Sequence, residues 1–204
     1  MAEHPDKSAR TSVEVLSVIA ARWSPRALDP NGVVTDAQLR ALLEAARWAP
    51  SYGNTQPARY LVGRRGDDTF DRIYGVLNSG NKAWTHAASV LLLGAVVLRN
   101  DKGDVPLTEY GLGLASENLV LQAVAEGLVA HQMSGFDADA ARAVFALPEQ
   151  VRPVVAIAVG TLGDPDQLDE RRRDRELAPR RRLALDEIAF TGQWGRPAFE
   201  PRAE

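Results

Sequence analysis

The sequence predicts an α+β fold in which layers of helix cover a sheet, and three features carry that expectation. Residues 89–98 (SVLLLGAVVL) and 154–159 (VVAIAV) are uninterrupted apolar runs of strand length, as expected of strands buried on both faces. Between them, residues 110–130 carry Leu112, Leu114, Leu119, Val120, Leu121, Val124, Leu128 and Val129, with only Glu117 and Glu126 charged. A helix drawn through that stretch is apolar on every side and needs cover from other elements over most of its surface. At about 20 residues it would run roughly 30 Å, the diameter of a small domain. Its two glutamates, with Asn118 and Gln122, argue against a membrane span.

Taken in order, residues 1–10 are polar and expected to be loose. Thr11 and Glu14 have capping-box spacing, and Val13, Leu16, Val18, Ile19 and Ala20 follow them as a first helix that Pro25 breaks. Asp29-Pro30-Asn31-Gly32 is turn chemistry. Thr35 and Gln38 repeat the capping-box spacing ahead of a stripe of Leu39, Leu42, Leu43 and Ala46, so a second helix should stop before Pro50. A polar turn bracketed by Pro50 and Pro57 leads to a short strand around residues 60–62. Phe70, Ile73, Tyr74 and Leu77 fall at helical spacing. Asp137 is placed to cap a further helix ending near Leu147-Pro148. Residues 164–176 are strongly charged, with Arg171 to Arg175 interleaved with Asp169, Glu170, Asp174 and Glu176, which reads as a solvated face. Residues 183–204 scatter Phe190, Trp194 and Phe199 among glycines and prolines without a period.

Composition bounds the function. A chain of 204 residues with 45% hydrophobic and 25% charged residues fits one globular domain, 1–204. A net charge of −3 gives no reason to expect nucleic acid. The absence of cysteine excludes disulfides, thiolate metal sites and cysteine nucleophiles. His4, His86 and His131 are not at ligand spacing, so no metal is expected. Residues 1–10 contain no apolar run, so no signal peptide is read there; a cytoplasmic location with no membrane partner is the default expectation. Gly111-Leu112-Gly113 starts a GxG, but Ser116 stands where a third glycine is needed.

Three polar clusters could carry chemistry. Arg22, Ser24 and Arg26 place two guanidinium forks around a hydroxyl, which suits a phosphate, although arginines at a helix end also serve solvent or the helix dipole. Asn54 and Gln56 carry amides that match a heterocycle edge of alternating donors and acceptors, or simply close the turn. Met133-Ser134-Gly135-Phe136 could present a backbone amide to a ligand, or Gly135 could cap the long helix.

The blocks RWSPRALDP, LLEAARWAPSYGNTQPARYLV, ASENLVLQAVAEGLVAHQMSGFD and LPEQVRPVVAIAVG occur in order across most of residues 15–190. Together they resemble the FMN-dependent nitroreductase family, whose pattern runs RRSxRxF, EAARxAPSxxNxQPWxF, a long apolar helix with NLxLAAxxxGLG, and LgiP…vvaliavG. The resemblance implies a three-layer α/β/α fold with a mostly antiparallel sheet, forming an intertwined homodimer with FMN at the interface. It implies an NAD(P)H-dependent oxidoreductase in which NADH or NADPH gives hydride to flavin N5. A nitroaromatic, quinone or related small-molecule acceptor then takes it by a ping-pong mechanism. Arg22, Ser24 and Arg26 match the phosphate and ribityl contacts, with Trp23 between them. Pro50, Ser51, Tyr52, Asn54 and Gln56 match the turn that reaches the flavin from the other subunit. Gly135, beside Ser134, matches the glycine whose amide approaches N5. RRRLALDEI resembles the family's RKPLEEI and implies Arg180 and Arg182 as late phosphate contacts. No side chain is expected to act as a catalytic acid or base.

Departures from the pattern are Ala58 for tryptophan, Ala184 for proline, Tyr52 in a slot that is often small, and only residues 99–108 where larger members carry covering helices. Tyr74, Trp84 and Tyr110 are candidates for a partial lid, and residues 183–204 for an arm over the partner subunit. The same fold also hosts dehalogenation, flavin fragmentation and azoline oxidation. A flavin-binding or storage protein with little turnover is the alternative from a different class.

Overall fold

The computed structural model of the chain describes residues 6–199. The two apolar runs lie side by side in it, as β2 (Val90–Val97) and β6 (Val151–Gly160). With β1 (Ala58–Arg64) and β5 (Val129–Met133) they form an antiparallel sheet ordered β1-β2-β6-β5. Successive side chains of a strand point to opposite faces, and each face here has its own core. Leu91, Leu93, Ala156 and Ala158 enter one; Val90, Leu92, Ile157 and Val159 enter the other.

The first core is closed by α3 (Asp68–Val76), α4 (Ser79–Thr85) and α6 (Ala138–Val144), through Phe70, Ile73, Val76, Trp84 and Ala141. The second is closed by α2 (Asp36–Arg47) and α5 (Thr108–Ala125), through Leu39, Leu42, Ala115, Leu119 and Ala123. The result is the expected three-layer α+β arrangement. Its helix starts follow local chemistry. Thr35 and Gln38 make a reciprocal capping box, the Thr35 hydroxyl accepting from the Gln38 amide at 3.2 Å. Asp67 and Asp137 cap α3 and α6 in the same sense, accepting from Phe70 and Ala140 amides at 2.7 and 2.9 Å.

Several elements differ from expectation. The first helix is only α1 (Ser17–Ala21), with Leu16 as an N-cap that makes no side-chain bond. Of residues 1–10, 1–5 lie outside the described residues, whereas the Ala9 amide bonds the Ala20 carbonyl at 2.9 Å and Lys7 is buried. The long apolar helix ends at Ala125, because Gly127 takes a φ of 71° and turns the chain. The remaining apolar residues, Val129 to Met133, are the edge strand β5. Nor is α5 covered all round: Glu109, Tyr110, Gly113 and Glu117 are exposed along one flank. Residues 99–108 hold only the hairpin of β3 (Arg99–Asn100) and β4 (Gly103–Asp104). The charged run forms α7 (Glu170–Leu177). Among the described residues, no helix is long and apolar enough to cross a membrane.

Where α3 starts across β1, the backbones nearly touch. A Cβ on Gly63 would lie 2.3 Å from the Phe70 nitrogen and 2.5 Å from its Cα. Backbone cannot yield as a side-chain tip can, so Gly63→Ala must part β1 from α3. Overpacking of this kind costs typically 1–3 kcal/mol. A thermal melt of the variant should show a midpoint lower by about 4–8 °C for ~2 kcal/mol. An unchanged midpoint would show that the α3 start can move aside freely.

Candidate functional site

The chain leaves α1 at Arg22 and runs as an irregular loop to Leu28, which bridges Leu162. Polar bonds fix this loop along its length. The Glu176 carboxylate of α7 accepts the Arg26 amide on both oxygens at 3.0 Å and the Ala27 amide at 3.0 Å. The Pro25 carbonyl lies 2.9 Å from Nδ1 of His131 on β5. Arg180 donates to the Lys7 and Ala20 carbonyls at 2.7 and 2.8 Å, closing the end of α1. Lys7 bonds the Ala178 carbonyl at 2.5 Å and stands 5.1 Å from the centroid of the Trp23 ring.

Held this way, the basic groups gather. Arg22 bonds Ser24 Oγ at 3.3 Å and has Glu117 Oε1 3.8 Å from its Nε. Burial lowers the Arg180 guanidinium from its ordinary value, and Arg22 and Arg182 push it the same way. Burial likewise lowers Arg26; Glu176 opposes, while Arg175 and Arg172 add to the lowering. The Arg26 guanidinium is partly buried and has no hydrogen-bond or ion-pair partner among the described residues. Arg182 is exposed and bonds the Arg181 carbonyl at 2.8 Å. A knot of cations with one unpaired, partly desolvated guanidinium is a donor set that fits a bound anion such as phosphate.

Gly135 follows β5. Its carbonyl accepts from the Asn78 amide at 3.0 Å and from Asn81 Nδ2 at 2.9 Å, while its own amide has no partner among the described residues. A Cβ there would lie 2.3 Å from Asn78 Nδ2, so the position admits only glycine without movement. Gly135 therefore does not cap the long helix; that turn belongs to Gly127. Neighbouring Ser134 is exposed.

The turn at residues 50–57 is held by Ser51 Oγ, which accepts the Gln56 amide at 2.9 Å. Asn54 and Gln56 take φ of 55° and 48°, conformations costing on the order of 1–3 kcal/mol each for residues with side chains. Pro50, Tyr52, Asn54 and Gln56 are exposed. The turn borders a cavity of about 290 Å³ lined by Ala46, Pro50, Ser51, Gln56, Ala58 and Gly111, with Ala58 where the family pattern has tryptophan. It packs against the start of α5 at Gly111, whereas Arg22 meets that helix at Glu117, about 9 Å further along its axis. Among the described residues no hydrogen bond or ion pair joins turn and knot: Arg22 meets Ser24, Arg22 and Arg182 act on Arg180, and both Arg22 and Arg26 act on His131, while Pro50, Ser51, Tyr52, Asn54 and Gln56 form a separate turn closed by Ser51 and Gln56.

Two expectations need correction. Trp84 is no lid, being 2% exposed in the core with its ring centroid 4.7 Å from that of His131. Glu176 does not belong to a solvated face; at 1% exposure it is the buried residue of α7, although Arg172 and Arg173 do pair with Asp169 and Asp166. Sequence reasoning also passed over Asn78 and Asn81. The one local signal was an N-cap asparagine with an amide three residues on. Among the described residues, no group of three or more His, Asp or Glu could hold a metal ion.

Comparisons with known proteins bear on the family and the fold. The model of the nitroreductase family matches residues 19–83 and 73–161. An uncharacterized 15.4 kDa protein of Mycolicibacterium smegmatis is 41% identical over 147 residues, 68% of this chain and 99% of that one. A Streptomyces coelicolor protein with the provisional name NADH dehydrogenase/NAD(P)H nitroreductase is 27% identical over 157 residues, 67% of this chain and 77% of its own length. A crystal structure described as an oxidoreductase containing FMN superposes with a TM-score of 0.87 at 28% identity, covering 94% of this chain and 98% of the other. A nitroreductase family protein of Clostridium difficile 630, 23% identical, shares the fold with a TM-score of 0.67 over 86% of this chain and 96% of its own.

The burial of His131 against this loop makes the fold sensitive to acid. Burial pushes this imidazole down to about 4; the Pro25 bond opposes and the Arg26 charge adds to the lowering. An unfolded histidine titrates near 6.5. Between those values the unfolded chain binds a proton that the folded chain refuses, so this contribution is full above about pH 6.5 and lost as pH falls toward 4. Melting temperature should therefore fall more steeply over that range in the native protein than in His131→Asn. Parallel pH profiles would remove His131 from the acid response.

Proposed function

The chain belongs to the nitroreductase family, an oxidoreductase family. From that premise we propose that it is an FMN-dependent enzyme that reduces nitroaromatics, quinones or related acceptors with electrons from NADH or NADPH. The observation that carries the proposal is the cation knot with its unpaired Arg26, whose loop bonds β5 at His131, together with the free amide of Gly135 that follows the same strand. FMN, when bound, would supply the redox chemistry, two-electron transfer between a nicotinamide donor and the acceptor.

The chain's own part is to bind and orient. Arg22, Ser24, Arg26 and Arg182 would hold the phosphate, with Trp23 packed beside Lys7. Arg180, whose Nη1 is taken by two carbonyls, would brace the end of α1 more than reach the ligand. The Gly135 amide, kept in place through its carbonyl by Asn78 and Asn81, would donate to the flavin ring edge. His131 is buried and held below the neutral range, so protons for the product would come from water. The small hairpin at residues 99–104 supports a broad choice of acceptor.

A second copy would complete the site, since among the described residues no hydrogen bond or ion pair joins the turn from Pro50 to Gln56 to the knot of its own chain. Exposed apolar side chains support that dimer: Leu16 at 70%, Trp48 at 72% and Tyr110 at 66%. The C-terminal segment would be the arm across the partner. Trp194 is 90% exposed and touches Phe190 of its own segment, ring centroids 4.9 Å apart. Residues 200–204 of the arm lie outside the described residues.

The reconstituted protein should be yellow and bleach anaerobically with NADH or NADPH, and initial rates against both substrates should give parallel double-reciprocal lines. Colour without bleaching would favour a flavin-binding protein, and intersecting lines would exclude the ping-pong order. A chain ending after Asp186 should dissociate or aggregate, because the surface it leaves exposed is apolar. A stable, FMN-loaded dimer of that length, seen by size-exclusion chromatography, would rule out the arm.

A further inference from the structure

The last described stretch of the chain is a small closed turn that presents one ring. Phe190 and Pro197 bridge in the antiparallel sense, and the Thr191 and Ala198 amides donate to the Arg196 and Ala189 carbonyls, each at 2.9 Å. Trp194 sits at its tip between Gly192 and Gly195, whose φ of 73° and 83° bend the backbone there. Its indole packs on the Phe190 ring and is otherwise left to water. A tryptophan buries roughly 150–250 Å² when it is covered, so a ring held out on a closed turn forgoes the largest apolar gain of its segment.

A hole of matching character lies beside β1. The cavity of about 290 Å³ is walled by small residues, Ala46, Ala49, Ala58, Gly111 and Ala115, and Ala58 stands where the family pattern has tryptophan. Ligand pockets run from roughly 300 to 1,000 Å³, so this one has room for a single ring system. Such pockets orient a soluble ligand through free polar groups, and here the polar lining is already engaged. Arg59 donates to the Gln56 and Ala58 carbonyls at 2.8 Å, and Arg47 pairs with Glu44. The Tyr60 and Ser116 hydroxyls are 3.0 Å apart, and Ser51 Oγ holds the Gln56 amide. Trp48, Tyr52 and Tyr110, each next to a lining residue in sequence, are exposed. A hole of this kind suits an apolar ring delivered by a covering surface.

We propose that Trp194 of a second copy fills the hole left at Ala58, so that each subunit receives from the other the ring its own sequence lacks. The inference rests on the dimer reading above and gives that dimer a specific contact. A two-fold axis makes the exchange reciprocal. Because Pro50, Ser51 and Gln56 also line the cavity, an indole seated there braces the turn that would complete the neighbouring site. Trp194 is thus a positioning residue as well as an anchor of the arm.

The test is a double-mutant cycle on the full chain, with the dimer dissociation constant measured by sedimentation equilibrium. Trp194→Ala empties the hole and should weaken the dimer about tenfold or more, as for a buried aromatic anchor. Ala58→Trp fills it from within the same chain and should weaken the dimer similarly by shutting Trp194 out. The two changes combined should stay within about twofold of the poorer single variant, because once either is made the other removes nothing further. Losses that multiply would place Trp194 elsewhere on the partner and overturn the proposal, as would a dimer indifferent to either single change. If Ala58→Trp does not fold, tryptophan emission decides. The difference spectrum between native protein and Trp194→Ala should be that of a water-shielded indole in the dimer, and of a water-exposed one on dilution to the monomer. A spectrum water-exposed at every concentration, or shielded at every concentration by packing within its own chain, would overturn the proposal. A monomeric native chain would remove the dimer reading and this inference together, whereas a coupled cycle in a protein with no affinity for flavin would remove the FMN reading alone.

Discussion

Strand β2 has a core on each of its faces. Leu91 and Leu93 are fully buried in one, Val90 and Leu92 in the other. Full burial of such side chains contributes on the order of 1.5–3 kcal/mol apiece, so neither face can be left uncovered without losing much of a domain's net stability. Helices must therefore lie on both sides, and β6, alternating in the same way beside β2, extends the requirement across the sheet. The three layers follow from that. They also fix the end of β5, from which Gly135 projects, and the Leu28–Leu162 bridge that closes the arginine loop.

The candidate site is organised by different forces from those of the core. Apart from the Lys7–Trp23 contact, its parts are placed by polar bonds: two amides on Glu176, one carbonyl on His131, two carbonyls on Arg180, and one carbonyl on Asn78 and Asn81. Such bonds specify direction, which apolar packing does not. Their use leaves the functional groups uncommitted, because the chain is gripped by its backbone while Arg26 and the Gly135 amide point elsewhere. The turn from Pro50 to Gln56, strained at two residues with positive φ, obeys the same rule with Ser51 as its clasp.

What the sequence disclosed and what it hid differ by the range of the interaction. The capping box of Thr35 and Gln38 and the Asp137 cap act within three residues, and both are visible as spacing. So are the doubly buried strands, whose partners need not be known for their composition to be read. Strand β5 was hidden because Val129 to Met133 continue the apolar run of α5, and only Gly127 marks the change from a period of 3.6 to a period of two. The first helix was overdrawn because Thr11 and Glu14 had the right spacing with no apolar face behind them to repay the turn. The clusters around Arg22 and Gly135 could each be read in two ways from their own residues, and only the family resemblance chose between them. Glu176 was not, since a buried carboxylate inside a charged run looks the same as a solvated one until its amide partners, about 150 positions away, are known.

Those separations bear on the order in which the molecule can assemble. The bonds that fix the arginine loop and the end of α1 span 106 to 173 positions of sequence. Closing loops of that length costs chain entropy before any contact repays it. During synthesis, Arg22 to Ala27 emerge among the first residues, yet their anchor on α7 does not exist until the last fifth of the chain has been made. The core strands and their helices can pair without it. The earliest part of the candidate site to be synthesised is thus among the last to acquire its shape, and a chain released short of Glu176 would retain both cores while lacking the grip on its basic loop.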